Sequence, residues 1–170
     1  MQNPIVFTSS PWEGSGTHRA LKMALDGYKY DMVDLTTKNF TDFDPLRRNS
    51  GDDFLEIAEQ MVQHSTLILA CPVYWYSVPA LMKRFIDRWS DLLDGRKDIA
   101  RKLEGRNLLV IAPYGTYPGG TDGFEAPIKG TAEYMSMHYR GSFFHYTGDD
   151  PTGLAENQPR LEAFRQVLAI

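Results

Sequence analysis

The chain has 170 residues and a formal net charge of −4; hydrophobic residues make up 42% of it and charged residues 24%. That composition fits a folded domain with its own core, and one domain over 1–170 is expected. The small acid excess argues against nucleic acid, whose phosphates need a basic face. A single cysteine, Cys71, excludes an internal disulfide and any multi-cysteine metal centre, so no metal site is expected. No stretch is long and apolar enough to cross a membrane, and the N-terminal MQNPIVF does not read as a signal peptide. A cytoplasmic protein without membrane insertion is the expectation.

Apolar runs alternate with helical patterns along the chain. IVFT (5–8) is short and β-rich and ends at a Ser/Gly loop; THRALKMAL, from Thr17, has the apolar spacing of a helix. YDMVDL (30–35) reads as a second strand. The polar segment TTKNFTDFDPLRRNSG is long for a connection, which makes it a candidate flap over a site. DDFLEIAEQMVQH is a second helix with Phe54, Leu55, Ala58, Met61 and Val62 on one face. TLILAC (66–71) is a continuous apolar run, as expected of a central parallel strand, with Cys71 as a buried thiol at its end.

A third helix follows, marked by Leu81, Met82, Phe85, Ile86, Trp89, Leu92 and Leu93, with Pro79 at its start. NLLVIA (107–112) is another buried strand. A helix across roughly 124–138, a strand SFFHY (142–146) and a closing helix PRLEAFRQVLA complete the chain. Five strands alternating with five helices predict a doubly wound, five-stranded parallel sheet covered on both faces.

In such a sheet ligands bind beyond the carboxyl ends of the strands, where the strand order reverses. Three loops there stand out. TSSPWEGSGT (8–17) offers hydroxyls on Ser9, Ser10, Ser15 and Thr17, with Gly14 and Gly16, and runs into a helix N-terminus. It holds no Lys, so the phosphate-loop pattern GxxxxGK[ST] is absent, and Arg19 breaks GxGxxG. It is either a cradle for one phosphate monoester or a plain turn and helix cap. PVYWYS places Tyr74, Trp75 and Tyr76 in a loop, either as a wall for a planar ligand or as an apolar interface. PYGTYPGGTDG, with Tyr114, Thr116, Gly119 and Gly120, would let the main chain approach a ligand edge; a mobile loop is the other reading. Together, a phosphate cradle, an aromatic wall and a Gly-rich edge at one end of one sheet are what a planar phosphorylated cofactor needs, and FMN is the candidate.

The segment CPVYWYSVPALMKRFIDR resembles the hallmark P-x-Y-W-x-S-x-P-a-x-x-K-x-F-x-D-R of the flavodoxin-like NAD(P)H-dependent FMN reductase and quinone reductase family. TSSPWEGSGTHRAL resembles that family's phosphate loop, G-S-P-R-x-x-x-N-T-x-x-L, and the likeness covers nearly the whole chain. It implies a flavodoxin-like sheet of order 2-1-3-4-5. By the same resemblance Ser10, Ser15, Gly16, Thr17 and His18 would hold the FMN phosphate. Pro72, Val73, Tyr74, Trp75 and Tyr76 would flank the ribityl chain and flavin, and Tyr114, Gly115 and Gly120 would lie along the other side of the ring. Three positions depart from the pattern: Trp12 stands for Arg, Gly16 for Asn, and Tyr76 where Gly is common.

The resemblance implies an FMN-dependent oxidoreductase, with NADH or NADPH as co-substrate and a quinone, flavin or similar small molecule as acceptor. It also implies a homodimer or dimer of dimers, to which Met82, Phe85 and Trp89 would contribute unless they are core. No side-chain acid or base is required, because the flavin carries the chemistry. Two other readings stay open: a flavodoxin-type electron carrier, and a binding or regulatory module without cofactor. A hydrolase is disfavoured, since EGSGT lacks the first Gly of GxSxG. DFDP and GDDP read as turns and caps.

Overall fold

The computed structural model describes residues 3–10, 12–49 and 51–169. Five strands, β1 (Ile5–Thr8), β2 (Asp31–Asp34), β3 (Thr66–Ala70), β4 (Asn107–Tyr114) and β5 (His138–Tyr146), form one sheet of order 2-1-3-4-5. Every pairing is parallel, so all the C-terminal strand ends lie on one edge. β1, β3 and all but the first residue of β4 are almost wholly buried, which explains their continuous apolar runs.

Alternation along those strands sends side chains to two cores. Val6, Ile68, Ala70, Leu109, Ile111 and Phe143 pack against helices α1 (Gly16–Ala24) and α8 (Asn157–Leu168) through Ala20, Leu21, Ala24, Leu161 and Phe164. Phe7, Leu67, Leu69, Val110 and Ala112 face the larger core. It is roofed by α2 (Phe54–Met61), α3 (Ala80–Asp87), α4 (Ser90–Asp94), α5 (Lys97–Leu103) and α6 (Glu125–Tyr134). Phe85 sits at its centre, its ring 5.0 Å from Phe7 and in edge contact with Phe40, Phe54 and Trp89. Met82, Phe85 and Trp89 are at most 2% exposed, so they are core residues rather than an outward interface.

The helices differ from the sequence expectation in number and extent. The third helix is two, α3 and α4, joined by a tighter turn in which Trp89 N–H bonds Ile86 O and Leu92 N–H bonds Trp89 O. α5 and a short α7 (Pro151–Ala155) are additional. α6 ends at Tyr134, not 138, and β5 begins four residues earlier than expected, at His138.

The long segment after β2 is not a flap over the strand ends. A 3-10 turn (Leu35–Thr37) starts it, and Phe40 is buried in the larger core. Asn39 and Asp53 exchange hydrogen bonds, and Thr41 N–H donates to Asp52. The buried Arg88 guanidinium then donates to Asp52 and to Thr41 O, and to Asp91 at 2.7 Å. These bonds strap the segment across α2 and α3, away from the cavities described below.

Candidate functional site

The loops that follow β1, β3 and β4 meet at the C-terminal edge of the sheet. Pro113, near the end of β4, links them: its carbonyl accepts Val73 N–H at 2.9 Å, and its ring packs against Gly16, where an added Cβ would lie 3.4 Å away. A Cβ at residue 16 would make ordinary van der Waals contact with the Pro113 ring, so the loop lies close against β4 here.

Ser15 is the N-cap of α1. Its Oγ accepts His18 N–H at 3.1 Å and the Ser10 hydroxyl at 2.6 Å, so the capping role read from the sequence is real. Capping leaves hydrogen-bonding capacity over. Thr17 is 1% exposed and its Oγ1 has no partner among the described residues; the buried Ser9 Oγ and His18 Nε2 have none among them either. A buried hydroxyl without a partner is costly, and Thr17 carries one in the first turn of a nine-residue helix, whose first N–H groups favour an anion.

The aromatic loop is a two-residue hairpin turn. Tyr74 and Ser77 exchange both backbone hydrogen bonds at 3.0 Å, and the two residues between them have positive φ, 49° at Trp75 and 62° at Tyr76. This is the signature of a type I′ turn, whose central positions favour Gly, Asn or Asp. Two large aromatics occupy them instead. Trp75 is 94% exposed and Tyr76 about half exposed, so the strain is not repaid by burial. The turn backs directly onto the loop after β4, since a Cβ on Gly123 would lie 2.9 Å from Tyr76 O.

Between these two loops lies a cavity of about 240 Å³, lined by Val73, Trp75, Tyr76, Tyr114, Gly115, Thr116 and Gly120. Gly120 is a packing necessity, because an added Cβ would stand 2.2 Å from Thr116 O. Gly115 is different: its Cβ position is open space. Tyr114 lines the cavity but its ring is buried, packed on Tyr146 and Phe144, with its hydroxyl held by Arg160.

Residues 4–143 match the family model described as NADPH-dependent FMN reductase. The chain belongs to this family. The Bacillus subtilis (strain 168) protein YwqN, named for NAD(P)H-dependent FMN-containing oxidoreductase activity, is 29% identical over 180 residues, spanning 96% of this chain and 94% of the relative. The solved Trp repressor binding protein of B. subtilis superposes with a TM-score of 0.76 at 22% identity, covering 98% of this chain and 97% of that one. An FMN-dependent NADH-azoreductase from Bacillus anthracis, solved with FMN, gives 0.71 at 14% identity, covering 98% and 99%. These likenesses support the flavodoxin-like fold.

In this FMN reductase family member the expected residues fall into two groups at one edge. Ser10, Ser15, Gly16, Thr17 and His18 form the hydroxyl-lined cradle, and Val73, Trp75, Tyr76, Tyr114, Gly115 and Gly120 line the cavity. Pro72 and Tyr74 lie in the same loop without lining that cavity; Tyr74 is 56% exposed. Thr116 lines it as well and is adjacent to expected positions. Arg160, which holds Tyr114 from α8, carried no signal in the sequence. Trp12 is 61% exposed and lines a cavity beside α1 that it shares with Ser10 and His18 of the cradle.

Proposed function

We propose that the protein is an FMN-dependent oxidoreductase that takes reducing equivalents from NADH or NADPH and delivers them to a small acceptor such as a quinone or free flavin. One observation carries the reading: a hydroxyl cradle at a helix N-terminus and a cavity between an aromatic turn and a glycine loop share one sheet edge. Thr17 Oγ1 is free to donate to a phosphate oxygen. Ser10, whose hydroxyl is otherwise spent on Ser15, can turn to the same anion. Gly115 lets the β4 loop approach a ring edge, and Trp75 and Tyr76 shield the ring from water. When bound, FMN supplies the redox chemistry, and the chain orients it and limits solvent access. Purified protein should retain one FMN per chain, seen as a perturbed flavin absorption band, and should oxidise NAD(P)H. Failure to take up FMN would sink this reading in favour of a cofactor-free module.

One domain over 1–170, a homodimer or dimer of dimers, and a cytoplasmic location complete the proposal. The dimer face we favour is a groove of about 360 Å³ between α4 and α6, flanked by Leu93, Ile86 and the 76%-exposed Tyr134. The core residue Trp89 borders it, and its buried Nε1–H has no acceptor among the described residues. Sedimentation equilibrium should give a dimer, and Tyr134→Arg should shift it towards monomer. Among the described residues no helix is long and apolar enough to cross a membrane, and a free buried Cys71 suits a reducing compartment.

A further inference from the structure

The cavity between the aromatic turn and the glycine loop has one wall whose position is set from outside it. Tyr114 ends β4 and lines the cavity. The glycine loop folds back over its ring: an added Cβ on Gly120 would lie 2.8 Å from Tyr114 Cδ2. Wherever Tyr114 stands, the loop edge stands with it. Tyr117, three residues on, does not line the cavity; its ring packs against Tyr146, the ring centres 5.6 Å apart.

Both tyrosine hydroxyls end on one ion pair. Tyr117 O–H donates to Glu156 Oε1 at 2.7 Å, and Arg160 donates to the Tyr114 hydroxyl, to Phe144 O and to Glu156 Oε2. Glu156 and Arg160 are four residues apart at the start of α8, so they share a helix face. Asn157 fixes this end of the helix to the sheet: its side-chain oxygen accepts Tyr146 N–H at 2.7 Å, and its amide donates to Tyr146 O at 2.9 Å. Gly153 of α7 closes on the Tyr146 ring, where a Cβ would lie 2.6 Å away. The Glu156 carboxylate pushes the Tyr117 phenol above its ordinary pKa, so Tyr117 stays protonated and remains the donor.

Neither Glu156 nor Arg160 lines the cavity. A partly exposed ion pair adds little stability by itself. This one spends the remaining hydrogen bonds of each partner on a tyrosine at the β4 exit. We infer that Glu156 and Arg160 are positioning residues for the FMN site: they clamp the glycine loop through Tyr117 and Tyr114 and hold its edge in the conformation that receives the flavin ring. The inference rests on the oxidoreductase reading above and adds to its site two residues that touch no ligand. A loop that stands open part of the time binds more weakly in proportion to its closed fraction. Losing one hydrogen bond to a charged group shifts that balance by about tenfold.

Tyr117→Phe removes one hydroxyl and keeps the ring against Tyr146, so it tests the clamp without endangering the fold. Titration of FMN into the FMN-free protein should give a Kd raised about tenfold in Tyr117→Phe, Glu156→Ala and Arg160→Met. Glu156→Gln, which keeps an oxygen for Tyr117, should bring Kd back to within about threefold of wild type. Tyr117 and Glu156 act as one unit, so Tyr117→Phe added to Glu156→Ala should cost nothing further. Subtilisin nicking within residues 115–123 of the FMN-free protein should accelerate about tenfold in the same variants, because cleavage follows the open population. An unmoved Kd in Tyr117→Phe and Glu156→Ala overturns the inference even if urea stability or nicking changes, for the pair is then only structural. Additive losses in the double variant overturn it as well. If the wild type takes up no FMN, the oxidoreductase reading fails. The nicking comparison then decides the clamp by itself, faster cleavage supporting it and equal cleavage overturning it.

Discussion

Trp75 and Tyr76 show what a single residue can reveal that its neighbours in sequence cannot. Their exposure was legible, because three aromatics after a buried strand and a proline have nowhere to bury; their backbone conformation was not, since φ leaves no mark in composition. The only hint was that Gly commonly stands where Tyr76 does, and a φ of 62° gives the reason. A strained non-glycine position costs on the order of 1–3 kcal/mol, and glycine's extra chain entropy offsets part of any relief. Tyr76→Gly should therefore stabilise the protein by about 1 kcal/mol in urea unfolding while weakening FMN retention. A destabilised variant would mean that the turn is relaxed as it stands. The two cavity glycines make a second, paired test. Gly120→Ala drives a methyl onto Thr116 O and must displace the loop, so stability and FMN retention should both fall. Gly115→Ala meets open space, so stability should hold and only FMN retention should fall. Unchanged FMN affinity in Gly115→Ala would remove that edge from the site.

At the level of elements, legibility tracked burial. β1, β3 and β4 were readable because both faces are covered and their interiors are continuous apolar runs. β5 was half missed, for it is an edge strand: His138–Ser142 is mostly half-exposed, and a bulge opposite Leu108/Leu109 interrupts its register. α5 buries only Ile99 and Leu103 among charged neighbours, too few for a periodic signal. GDDP did read correctly as a cap: Asp150 accepts Thr152 and Gly153 N–H, with Pro151 opening α7. The strap was misread because its anchor is remote. Arg88, 1% exposed and 36 residues from Asp52, could not be paired with it from sequence. Burial alone would raise the Asp52 pKa. Hydrogen bonds from Arg88 and from Thr41 and Phe54 N–H outweigh it and hold the pKa below the usual carboxylate value. A lowered folded pKa means that this stabilisation is present above the unfolded value of about 3.9 and is lost as pH falls through the folded one. Arg88→Ala leaves Asp52 and Asp91 without their cation and should cost about 3–5 kcal/mol at pH 7. Acid should then act oppositely on the two proteins. Lowering the pH from 7 towards 4 should relieve the variant, by protonating the stranded Asp52, before the wild type begins to lose the pair. Parallel pH profiles of the urea midpoint would show that the strap does not depend on this charge cluster.

Across the whole molecule, the binding edge and the core are joined by the same strands, and Cys71 lies at the junction. It follows the last residue of β3, is fully buried, and its N–H is bonded to Ile111 O at 3.1 Å; the aromatic loop begins one residue later. Burial raises its thiol pKa far above the usual range, which removes the reactive thiolate. Because β3 is the central strand, exposing Cys71 requires the sheet to open. Thiol labelling should then proceed at the rate set by global unfolding and accelerate with denaturant in step with loss of the circular-dichroism signal. FMN bound only by the folded chain should slow that labelling by mass action, about 100-fold at a free concentration of 100 Kd. Fast labelling insensitive to denaturant would place Cys71 in a local opening of the β3 loop. Labelling slowed by denaturant-sensitive protection but indifferent to FMN would separate the edge from the cofactor altogether. The outcome expected from the geometry is protection by both, because the ligand-lining turn and the buried thiol are consecutive parts of one strand exit.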